Sequence, residues 1–280
     1  MISLVIFTCE GREHLLSQTI NSFRKHFSYN WTKVILAVDG QVNPQLINEI
    51  KPDVILQHPQ RSGYVNSIST TLKTINTPYF FWLEDDWTFH SSVALETLAA
   101  QLENHQDWAE IMLSKTGPLT QEEKINPLMG NFFNSIYGFS ANPCLCNTKQ
   151  LQDGFFALEL APKGGQLGQD GFENFLTKKF SDENIKTVVL DPVDQFSISH
   201  EGYLETTPRK WHMTNSLEGA KTQEHLMTIP VPPFWRRVTM VFKLIGTFFK
   251  LFVVQLYNNK IYEFCFRVVA SAQSTLKNKD

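Results

Sequence analysis

The sequence predicts an α/β protein in which a mainly parallel β-sheet is covered by helices on both faces, giving a three-layer sandwich. Apolar runs of strand length alternate with amphipathic helical patterns through the first half of the chain. The predicted strands are also almost continuously apolar, as expected of strands buried on both faces of a parallel sheet. With 280 residues, 42% of them hydrophobic, the chain can build the core of one large domain.

The first half of the chain supplies most of the predicted sheet. Strands are expected at residues 2–7, 33–38, 53–57, 79–83 and 109–113. Helices are expected at residues 13–27, 65–75 and 93–102. In the first helix Leu16, Ile20 and Phe23 recur on one face, which is the spacing of a helix packed on a sheet.

The second half of the chain has a different composition. Residues 115–147 are rich in Gly, Pro and Asn. Short strands are expected at 135–140, 143–146, 187–190 and 195–199, and a helix at 171–180. The Pro-Val-Pro-Pro run at 230–233 fixes backbone angles and removes hydrogen-bond donors, so it is a natural boundary. We therefore expect a main domain at 1–230 and a separate tail at 231–280.

The net charge of −3 combines two unlike regions of the chain. Residues 1–230 carry a net charge of −9, whereas residues 231–280 carry +6 together with seven of the 22 Phe residues. The acidic main domain offers no cluster of Lys and Arg for a phosphate backbone, so we expect no nucleic-acid partner. A segment that is both basic and apolar is typical of a membrane-binding surface.

The tail is predicted to form amphipathic helices that bind a membrane surface through residues 234–256. Arg236, Lys243 and Lys250 recur every seven residues, so they form one basic stripe along an otherwise apolar helix. A membrane-spanning helix would bury two of these cations in hydrocarbon, which favours an orientation in the plane of the interface. The alternative is a soluble helical hairpin that packs on the main domain or on a second subunit.

The N-terminus and the cysteines indicate the compartment. Residues 1–7 form an apolar run without a preceding basic segment, which is unlike a signal peptide. The cysteines are Cys9, Cys144, Cys146 and Cys265. Their spacing fits neither a disulfide framework nor a paired CxxC zinc site, so we expect reduced thiols without a metal or redox role. These features predict a cytoplasmic protein that associates peripherally with the inner face of the membrane.

Three consecutive carboxylates follow the aromatic strand at residues 79–83. They are Glu84, Asp85 and Asp86. In an open α/β sheet, ligands bind at the carboxyl ends of the strands. A hard divalent cation is the simplest way to hold like charges together there, and Mg²⁺ or Mn²⁺ is normally shared with substrate phosphates. The alternative is a solvated acidic turn in which Asp86 caps a helix.

The order of these motifs resembles the nucleotide-sugar-binding half of family 2-like glycosyltransferases with the GT-A fold. The resemblance rests on Val5-Ile6-Phe7-Thr8-Cys9-Glu10-Gly11-Arg12 before a helix, on Asp39-Gly40 after the second strand, on Arg61-Ser62-Gly63 before another helix, and on Glu84-Asp85-Asp86. It implies the GT-A sandwich for residues 1–230. It also implies a nucleoside-diphosphate sugar as the donor, with a UDP-sugar favoured.

The resemblance assigns roles to particular residues. The implied nucleotide-sugar-binding residues are Thr8, Glu10, Arg12, Asp39, Arg61 and Asp85. Glu84 and Asp86 match the acidic motif that holds Mn²⁺ or Mg²⁺ on the diphosphate, with Asp86 as the expected direct ligand. His200 matches a histidine that returns to the metal or the diphosphate, although a structural role for this side chain is an open alternative.

The catalytic base is expected in the segment at residues 164–173. This segment, Gly-Gly-Gln-Leu-Gly-Gln-Asp-Gly-Phe-Glu, is similar to the family's loop-to-helix segment with an acidic base near the helix start. A sugar hydroxyl is a poor nucleophile, so a carboxylate must accept its proton as the new bond forms. Asp170 is preferred over Glu173, and the alternative is that Asp170 only caps the helix.

The predicted reaction is a metal-dependent, inverting transfer of a monosaccharide to a hydroxyl acceptor. The acceptor could be lipid-linked, which places the enzyme in cell-surface polysaccharide or glycolipid synthesis. One alternative is a nucleotidyltransferase, which should carry a basic glycine-rich first loop that residues 8–12 do not provide. The other is a non-catalytic, membrane-associated adaptor that binds sugar nucleotides. The sequence predicts nothing about oligomeric state.

Overall fold

The computed structural model describes most of the chain between residues 1 and 200. Described are residues 1–41, 43–58, 60–113, 119, 121–125, 127–161, 166–191 and 197–200, with residues 239, 242 and 243 in the tail. For residues 166–170 the description covers the backbone alone. The predicted membrane-binding segment at 234–256 lies almost wholly outside the described residues. Among the described helices, none combines the length and the apolar character that crossing a membrane requires.

The chain divides into two compact units, Met1–Glu224 and His225–Asp280, and the elements named here lie in the first. The described strands are β1 (Ile2–Cys9), β2 (Lys33–Asp39), β3 (Val54–Gln57), β4 (Tyr79–Glu84), β5 (Trp87–Phe89), β6 (Trp108–Met112), β7 (Pro127–Met129), β8 (Phe132–Asn134), β9 (Cys144–Asn147), β10 (Lys186–Leu190) and β11 (Ile198–His200). The described helices are α1 (Glu13–His26), α2 (Pro44–Ile50), α3 (Tyr64–Leu72), α4 (Leu95–Asn104), α5 (Gln121–Lys124), α6 (Thr148–Leu160) and α7 (Gln166–Asp182).

A single large sheet has the strand order β3-β2-β1-β4-β9-β6-β10-β8-β7. The strands β3, β2, β1 and β4 run parallel to each other, as predicted, and β10 runs parallel to β6. β9 lies antiparallel between β4 and β6 and so joins the two parallel parts. A second, small sheet pairs β5 with β11 and places His200 opposite Trp87.

Buried apolar side chains cover both faces of the large sheet, which gives the predicted three-layer α/β architecture. On one face Ile6 and Phe81 belong to a cluster with residues of α1, α2 and α4. On the other face Val5 and Trp82 belong to a cluster with residues of α3, α6 and α7. Neighbouring residues of one strand point to opposite faces. Both faces are covered by helices, which is why the strands are almost continuously apolar.

The sequence analysis missed helix α6, and a glycine explains why. Gly154 lies within α6, and glycine is a poor helix former. A Cβ atom at Gly154 would lie 2.7 Å from Cδ2 of Leu176 in α7, so the missing side chain lets the two helices pack closely. The sequence analysis also missed the short elements α2, α5, β5, β7 and β8.

Other boundaries differ from the predictions by a few residues, and one predicted strand is wrong. No strand forms at the described residues 135–140; β8 lies before them, at Phe132–Asn134, and the chain turns directly after it. Within that turn Gly138 has a φ of 77°, a left-handed conformation that ends a strand and that glycine adopts without strain. The helix expected at 171–180 begins earlier, at Gln166, with a break at Gly171.

Candidate functional site

The carboxyl ends of β1, β2 and β4 lie side by side because these strands are parallel neighbours. Thr8, Asp39 and Glu84 lie at these ends, and Asp85 and Asp86 follow directly. Asp39, Asp85 and Asp86 are only 4%, 4% and 7% exposed. Buried carboxylates require hydrogen-bond or charged partners, so the contacts of each one define the site.

Asp85 is held by the end of β1 and the turn that follows it. Oγ1 of Thr8 donates a hydrogen bond to Oδ2 of Asp85 at 2.6 Å. Nε of Arg12 donates to Oδ1 at 2.8 Å. Burial raises the pKa of Asp85, and the positive charge of Arg12 acts in the opposite direction. Thr8 and Asp85, both predicted to bind the nucleotide sugar, therefore contact each other and orient Arg12.

One carboxylate oxygen of Asp86 is contacted by nitrogen atoms of two side chains. Nη2 of Arg12 lies 2.5 Å from Oδ2 of Asp86, and Nε2 of His200 lies 3.2 Å from the same atom. Burial opposes the charged form, but the hydrogen bond from His200 and the charge of Arg12 outweigh it and hold the pKa of Asp86 below 3.8. The ring of Trp87 lies against the imidazole with 4.6 Å between centroids, which restricts the orientation of His200.

Asp39 holds the start of α3 at the same edge of the sheet. Its Oδ1 accepts hydrogen bonds from the backbone N–H groups of Ser62 at 2.6 Å and Gly63 at 3.1 Å. Gly63 directly precedes α3 and has a φ of 97°, a left-handed conformation that favours glycine. A carboxylate here also interacts favourably with the positive end of the helix dipole.

Glu10 and Arg61 lie beside Asp39 on the solvent-exposed side of the candidate site. Oε2 of Glu10 accepts a hydrogen bond from the backbone N–H of Gln41 at 3.1 Å. The guanidinium of Arg61 donates to the backbone carbonyl oxygen of Glu10. A Cβ atom at Gly40 would lie 2.7 Å from Oε2 of Glu10, so a glycine is needed for the two loops to approach. The motifs after β1 and β2 thus form one continuous surface.

Glu84 makes a hydrogen bond with a residue that the sequence analysis did not identify. The hydroxyl of Tyr64, the first residue of α3, donates to Oε1 of Glu84. Burial and the nearby charge of Asp86 raise the pKa of Glu84 well above 4.5. A carboxyl group that retains its proton is a weaker ligand for a cation than an ionised one. The pKa values of Glu84 and Asp86, predicted together as metal ligands, are therefore shifted in opposite directions.

Glu173 is close enough to Glu84 to raise its pKa further. Its Oε1 accepts a hydrogen bond from the backbone N–H of Ala141 at 2.8 Å and a longer one, at 3.4 Å, from Oγ of Ser140. Burial raises the pKa of Glu173 above 4.5. A raised pKa is typical of carboxylates that accept protons near neutral pH.

Asp170 immediately precedes a break in α7, and its side chain lies outside the described residues. Gly171, the next residue, has φ 73° and ψ 167°, which is not helical. The ring of Phe172 then packs edge-on against Tyr64 with 6.2 Å between centroids. This contact brings the break in α7 to the residue that hydrogen-bonds Glu84. The backbone of Asp170 therefore belongs to the same region as the acidic motif.

The structure brings together most of the residues that the sequence analysis predicted. Arg12 links Asp85, Asp86 and, through Asp86, His200. The residues that the analysis missed are Ser62, Tyr64, Trp87 as the partner of His200, Ser140 and Ala141. Tyr64 directly follows the Arg-Ser-Gly motif, and this position in the sequence could have identified it as a candidate site residue. Ala141 contributes only a backbone N–H, so its side chain carries no signal.

The donor atoms around Asp86 fit a divalent metal ion. Oδ1 of Asp86 is buried and accepts no hydrogen bond from the described part of the chain. An unpartnered carboxylate oxygen in a buried position is costly unless a cation or a donor satisfies it. Carboxylate oxygens suit both Mg²⁺ and Mn²⁺, and the neighbouring imidazole of His200 suits Mn²⁺ better. Asp86 and His200 are therefore the side chains that would hold such an ion.

The comparisons with known proteins rest on structure, since no family model and no curated protein matches the sequence. S. aureus TarS 1-349 in complex with UDP-GlcNAc is 15% identical, with a TM-score of 0.50 over 75% of this chain and 63% of that one. S. aureus TarS itself is 14% identical, with a TM-score of 0.50 over 75% of this chain and 38% of that one. GalNAc-T7 with UDP, GalNAc and Mn²⁺ is 15% identical, with a TM-score of 0.48 over 67% of this chain and 42% of that one.

The similarity to the two TarS structures establishes the fold of the main unit. The chain spans less than two thirds of the length of each of these structures. At such low sequence identity the two TarS structures carry information on architecture alone. Their architecture agrees with the strand order and the two helical layers described above. The main unit therefore has the GT-A glycosyltransferase fold that the sequence predicts.

Proposed function

We propose that the chain is a family 2-like glycosyltransferase that transfers a monosaccharide from a UDP-sugar to a hydroxyl acceptor. The observation that carries this proposal is the convergence of Asp39, Asp85 and Asp86 with Arg12 and His200 at the carboxyl edge of the parallel strands. In open α/β sheets this edge is where ligands bind. The likeness in fold to TarS, which binds UDP-GlcNAc, supports a donor of the same class.

The nucleotide is expected to lie along the surface formed by the turns after β1 and β2. Glu10, Asp39 and Arg61 lie on this surface, with Asp39 offering its remaining acceptor capacity to ribose or base. Thr8 and Asp85 are more deeply placed and orient Arg12. A guanidinium held by two carboxylates is a fixed donor, and fixed donors stabilise phosphate charge without reorganising.

Asp86 and His200, with Glu84, would hold Mn²⁺ or Mg²⁺ beside the diphosphate. When bound, such an ion supplies Lewis-acid stabilisation of the negative charge on the leaving diphosphate. Arg12 forms ion pairs with Asp85 and Asp86 and so limits the repulsion between these two carboxylates. The unpartnered Oδ1 of Asp86 is the observation in favour of this cation.

A carboxylate at the break in α7 is expected to take the acceptor's proton. The hydroxyl oxygen attacks the anomeric carbon, its proton passes to the carboxylate, and the bond to the diphosphate oxygen breaks with its electron pair leaving on the nucleotide. A single displacement of this kind inverts the anomeric centre. Asp170 is the preferred base because it directly precedes the non-helical residue Gly171, and Glu173 is the second candidate.

A thermal-shift panel tests the donor and the metal together. Ligands that bind only the folded state raise apparent stability, so the melting temperature should rise with UDP-sugars and rise further with Mn²⁺ present. Asp86→Asn should abolish the additional rise in melting temperature that Mn²⁺ causes. Asp182→Asn is the matched control, because Asp182 is an exposed carboxylate in an ion pair with Lys178. A panel in which no nucleotide sugar raises the melting temperature of the wild type would contradict the proposal.

Membrane association through residues 234–256 and a lipid-linked acceptor at the cytoplasmic face complete the proposed function. The basic stripe of Arg236, Lys243 and Lys250 supports this part of the proposal. The full-length protein should sediment with vesicles that contain anionic lipids, and less so at high salt. Lys243→Glu with Lys250→Glu should reduce this binding, while Lys178→Glu in the main unit should not. Equal binding by all three proteins would contradict the membrane proposal.

A further inference from the structure

A buried cluster of two thiols and a carboxyl group lies away from the candidate site, between β6 and β9. Glu110 of β6 is the direct cross-strand partner of Cys146, and Met112 is the partner of Cys144. Cross-strand partners point to the same face of a sheet, and residues two apart on one strand do so as well. All four side chains therefore point to one face, which residues of α6 and α7 cover.

The potential ligand atoms of the cluster are close to each other. One oxygen of Glu110 and the two Sγ atoms of Cys144 and Cys146 all lie within 4.8 Å of one another. The two Sγ atoms are 3.3 Å apart, and both cysteines are free thiols. The two thiols and the carboxyl group are thus spaced so that one ion could contact all three.

Glu110 is incompletely satisfied in this position. Its side chain has no solvent exposure, and Oε1 accepts a hydrogen bond from the backbone N–H of Ser140 at 3.2 Å. Oε2 is buried and accepts no backbone or hydroxyl hydrogen bond from the described residues, while the thiol of Cys144 is close enough to hydrogen-bond the carboxyl group. Leaving a carboxyl oxygen unpartnered in an apolar core is costly, and an aliphatic residue would fill the same space without that cost. Because no backbone or hydroxyl donor of the described residues reaches this oxygen, a cation held between it and the two thiols would satisfy it.

The chemistry of these donors selects a particular class of ion. Two thiolates and a carboxylate are typical ligands of Zn²⁺, whereas Mg²⁺ and Mn²⁺ prefer oxygen. Met112 brings a third sulfur to the same face, next to Cys144. The cluster therefore differs in kind from the oxygen-rich site at Asp86. It also calls for a different interpretation of the cysteines from the one that their spacing in the sequence favours.

We propose that Glu110, Cys144 and Cys146 bind one Zn²⁺ ion, which ties the antiparallel strand β9 to β6. Binding replaces the protons of the two thiols and the carboxyl group, and these protons pass to solvent. The ion would enter as the chain folds, because α6 and α7 cover the cluster in the folded protein. The site would be structural, since it lies in the core and reaches no solvent.

The metal content of the full chain tests this proposal. Protein expressed with added Zn²⁺ and purified without chelator should hold about one Zn²⁺ per chain by elemental analysis. Expression with Co²⁺ in place of Zn²⁺ should give the near-ultraviolet absorption of a thiolate–cobalt bond. Cys144→Ser and Cys146→Ser should each lose the ion and this absorption, and Glu110→Gln should lower the retained fraction at least tenfold after dialysis.

Two control variants test whether the Zn²⁺ is bound at this cluster or elsewhere on the protein. Cys9→Ser removes a thiol outside the cluster and should leave the metal content unchanged. Asp86→Asn removes the proposed oxygen site and should also leave the Zn²⁺ content unchanged, because it lies outside the cluster. Wild-type protein that holds no Zn²⁺ and shows no thiolate–cobalt absorption overturns the proposal, whether or not the serine variants fold. Full Zn²⁺ retention by folded Cys144→Ser and Cys146→Ser proteins overturns it equally.

Discussion

Arg12 and Asp86 form an ion pair with 2.5 Å between Nη2 and Oδ2, and the same guanidinium donates its Nε to Asp85. One cation therefore holds two adjacent carboxylates at the end of β4. This arrangement makes the acidic motif tolerable in the folded protein before any ligand binds. It also makes the turn after β1 and the end of β4 depend on each other.

Arg12→Met should destabilise the protein because it leaves two buried carboxylates without their cation. Breaking a buried pair by removing one partner costs about 3 kcal/mol. Urea denaturation of both proteins measures the free energy of unfolding. Lys178→Met is the matched control: it removes an exposed ion pair with Asp182, which should change the free energy of unfolding very little. A similar small loss for both variants would mean that Arg12 does not hold the motif together.

Tyr64→Phe should weaken metal-dependent binding of the donor without displacing the ring. The hydroxyl of Tyr64 donates to Glu84 and lowers the pKa of that carboxyl group, so its loss makes Glu84 harder to ionise. Losing one hydrogen bond of this kind costs about 1 kcal/mol, or roughly fivefold in affinity. Titration calorimetry with a UDP-sugar and Mn²⁺ measures the change. Binding without metal should be unaffected, and a uniform loss in both conditions would assign Tyr64 to packing instead.

Asp170→Asn should retain donor binding and lose transfer. If Asp170 is the base, its amide cannot accept the acceptor's proton, and the rate should fall by about 10²–10⁴. Glu173→Gln is the informative comparison, because Glu173 accepts hydrogen bonds from Ala141 and Ser140 and has a raised pKa. Transfer assays with matched donor-binding measurements distinguish the two. Full activity of Asp170→Asn together with an inactive Glu173→Gln would reverse the assignment.

Gly138→Ala should cost more stability than Gly130→Ala, although both glycines have positive φ. A Cβ atom at Gly138 would lie 2.1 Å from Cγ2 of Thr177, whereas a Cβ atom at Gly130 meets nothing within 4 Å. Backbone strain alone costs about 1 kcal/mol, and overpacking adds about 1–3 kcal/mol. Thermal unfolding of both variants tests the difference. Equal losses would show that the turn at Gly138 shifts without cost.

Glu110→Gln should make the stability of the metal-free protein less dependent on pH. Burial raises the pKa of Glu110 well above 4.5, so above pH 4.5 the unfolded chain loses this proton while the folded protein keeps it. Stability therefore falls as the pH rises from 4.5 towards the folded pKa, by up to about 1.4 kcal/mol per pH unit. The groups that face Glu110 are Cys144, Cys146, Ser140 and Glu173.

Denaturation at several pH values in the presence of a chelator measures this slope. The glutamine variant should lose this decline and gain stability near neutral pH relative to the wild type. Glu159→Gln is a control of opposite sign, because hydrogen bonds from Lys73 and Ser69 lower the pKa of Glu159. Its contribution is present above about pH 4.5 and is lost as the pH falls. An unchanged slope in Glu110→Gln would show that this carboxyl group ionises normally.

The elements around the candidate site could be predicted because their signals are local. The apolar run of β4 ends at three carboxylates, and parallel neighbours bring Thr8 and Asp39 to the same edge. The contacts of those residues could not be predicted, since they depend on backbone groups. Ser62 and Gly63 hold Asp39 through their N–H groups, which every residue except proline carries.

The buried cluster could not be predicted because its members meet through strand order. Cys144 and Cys146 lie on one strand, which the sequence does suggest. Glu110 becomes their neighbour only because β9 inserts between β4 and β6. The sequence carries no local signal for that insertion, since 31 residues separate β6 from β9.

The central position of β9 also has a consequence for how the chain folds. β4 and β6 have no direct pairing, so each has an open edge until β9 arrives between them. A nascent chain that ends after residue 113 would expose these edges together with the apolar side chains of Phe80 and Ile111. Open apolar strand edges recruit other chains, and distant pairing slows folding. The nascent chain should therefore be most prone to aggregation after β6 has been synthesised and before β9 has been. A chaperone would protect it best in that interval.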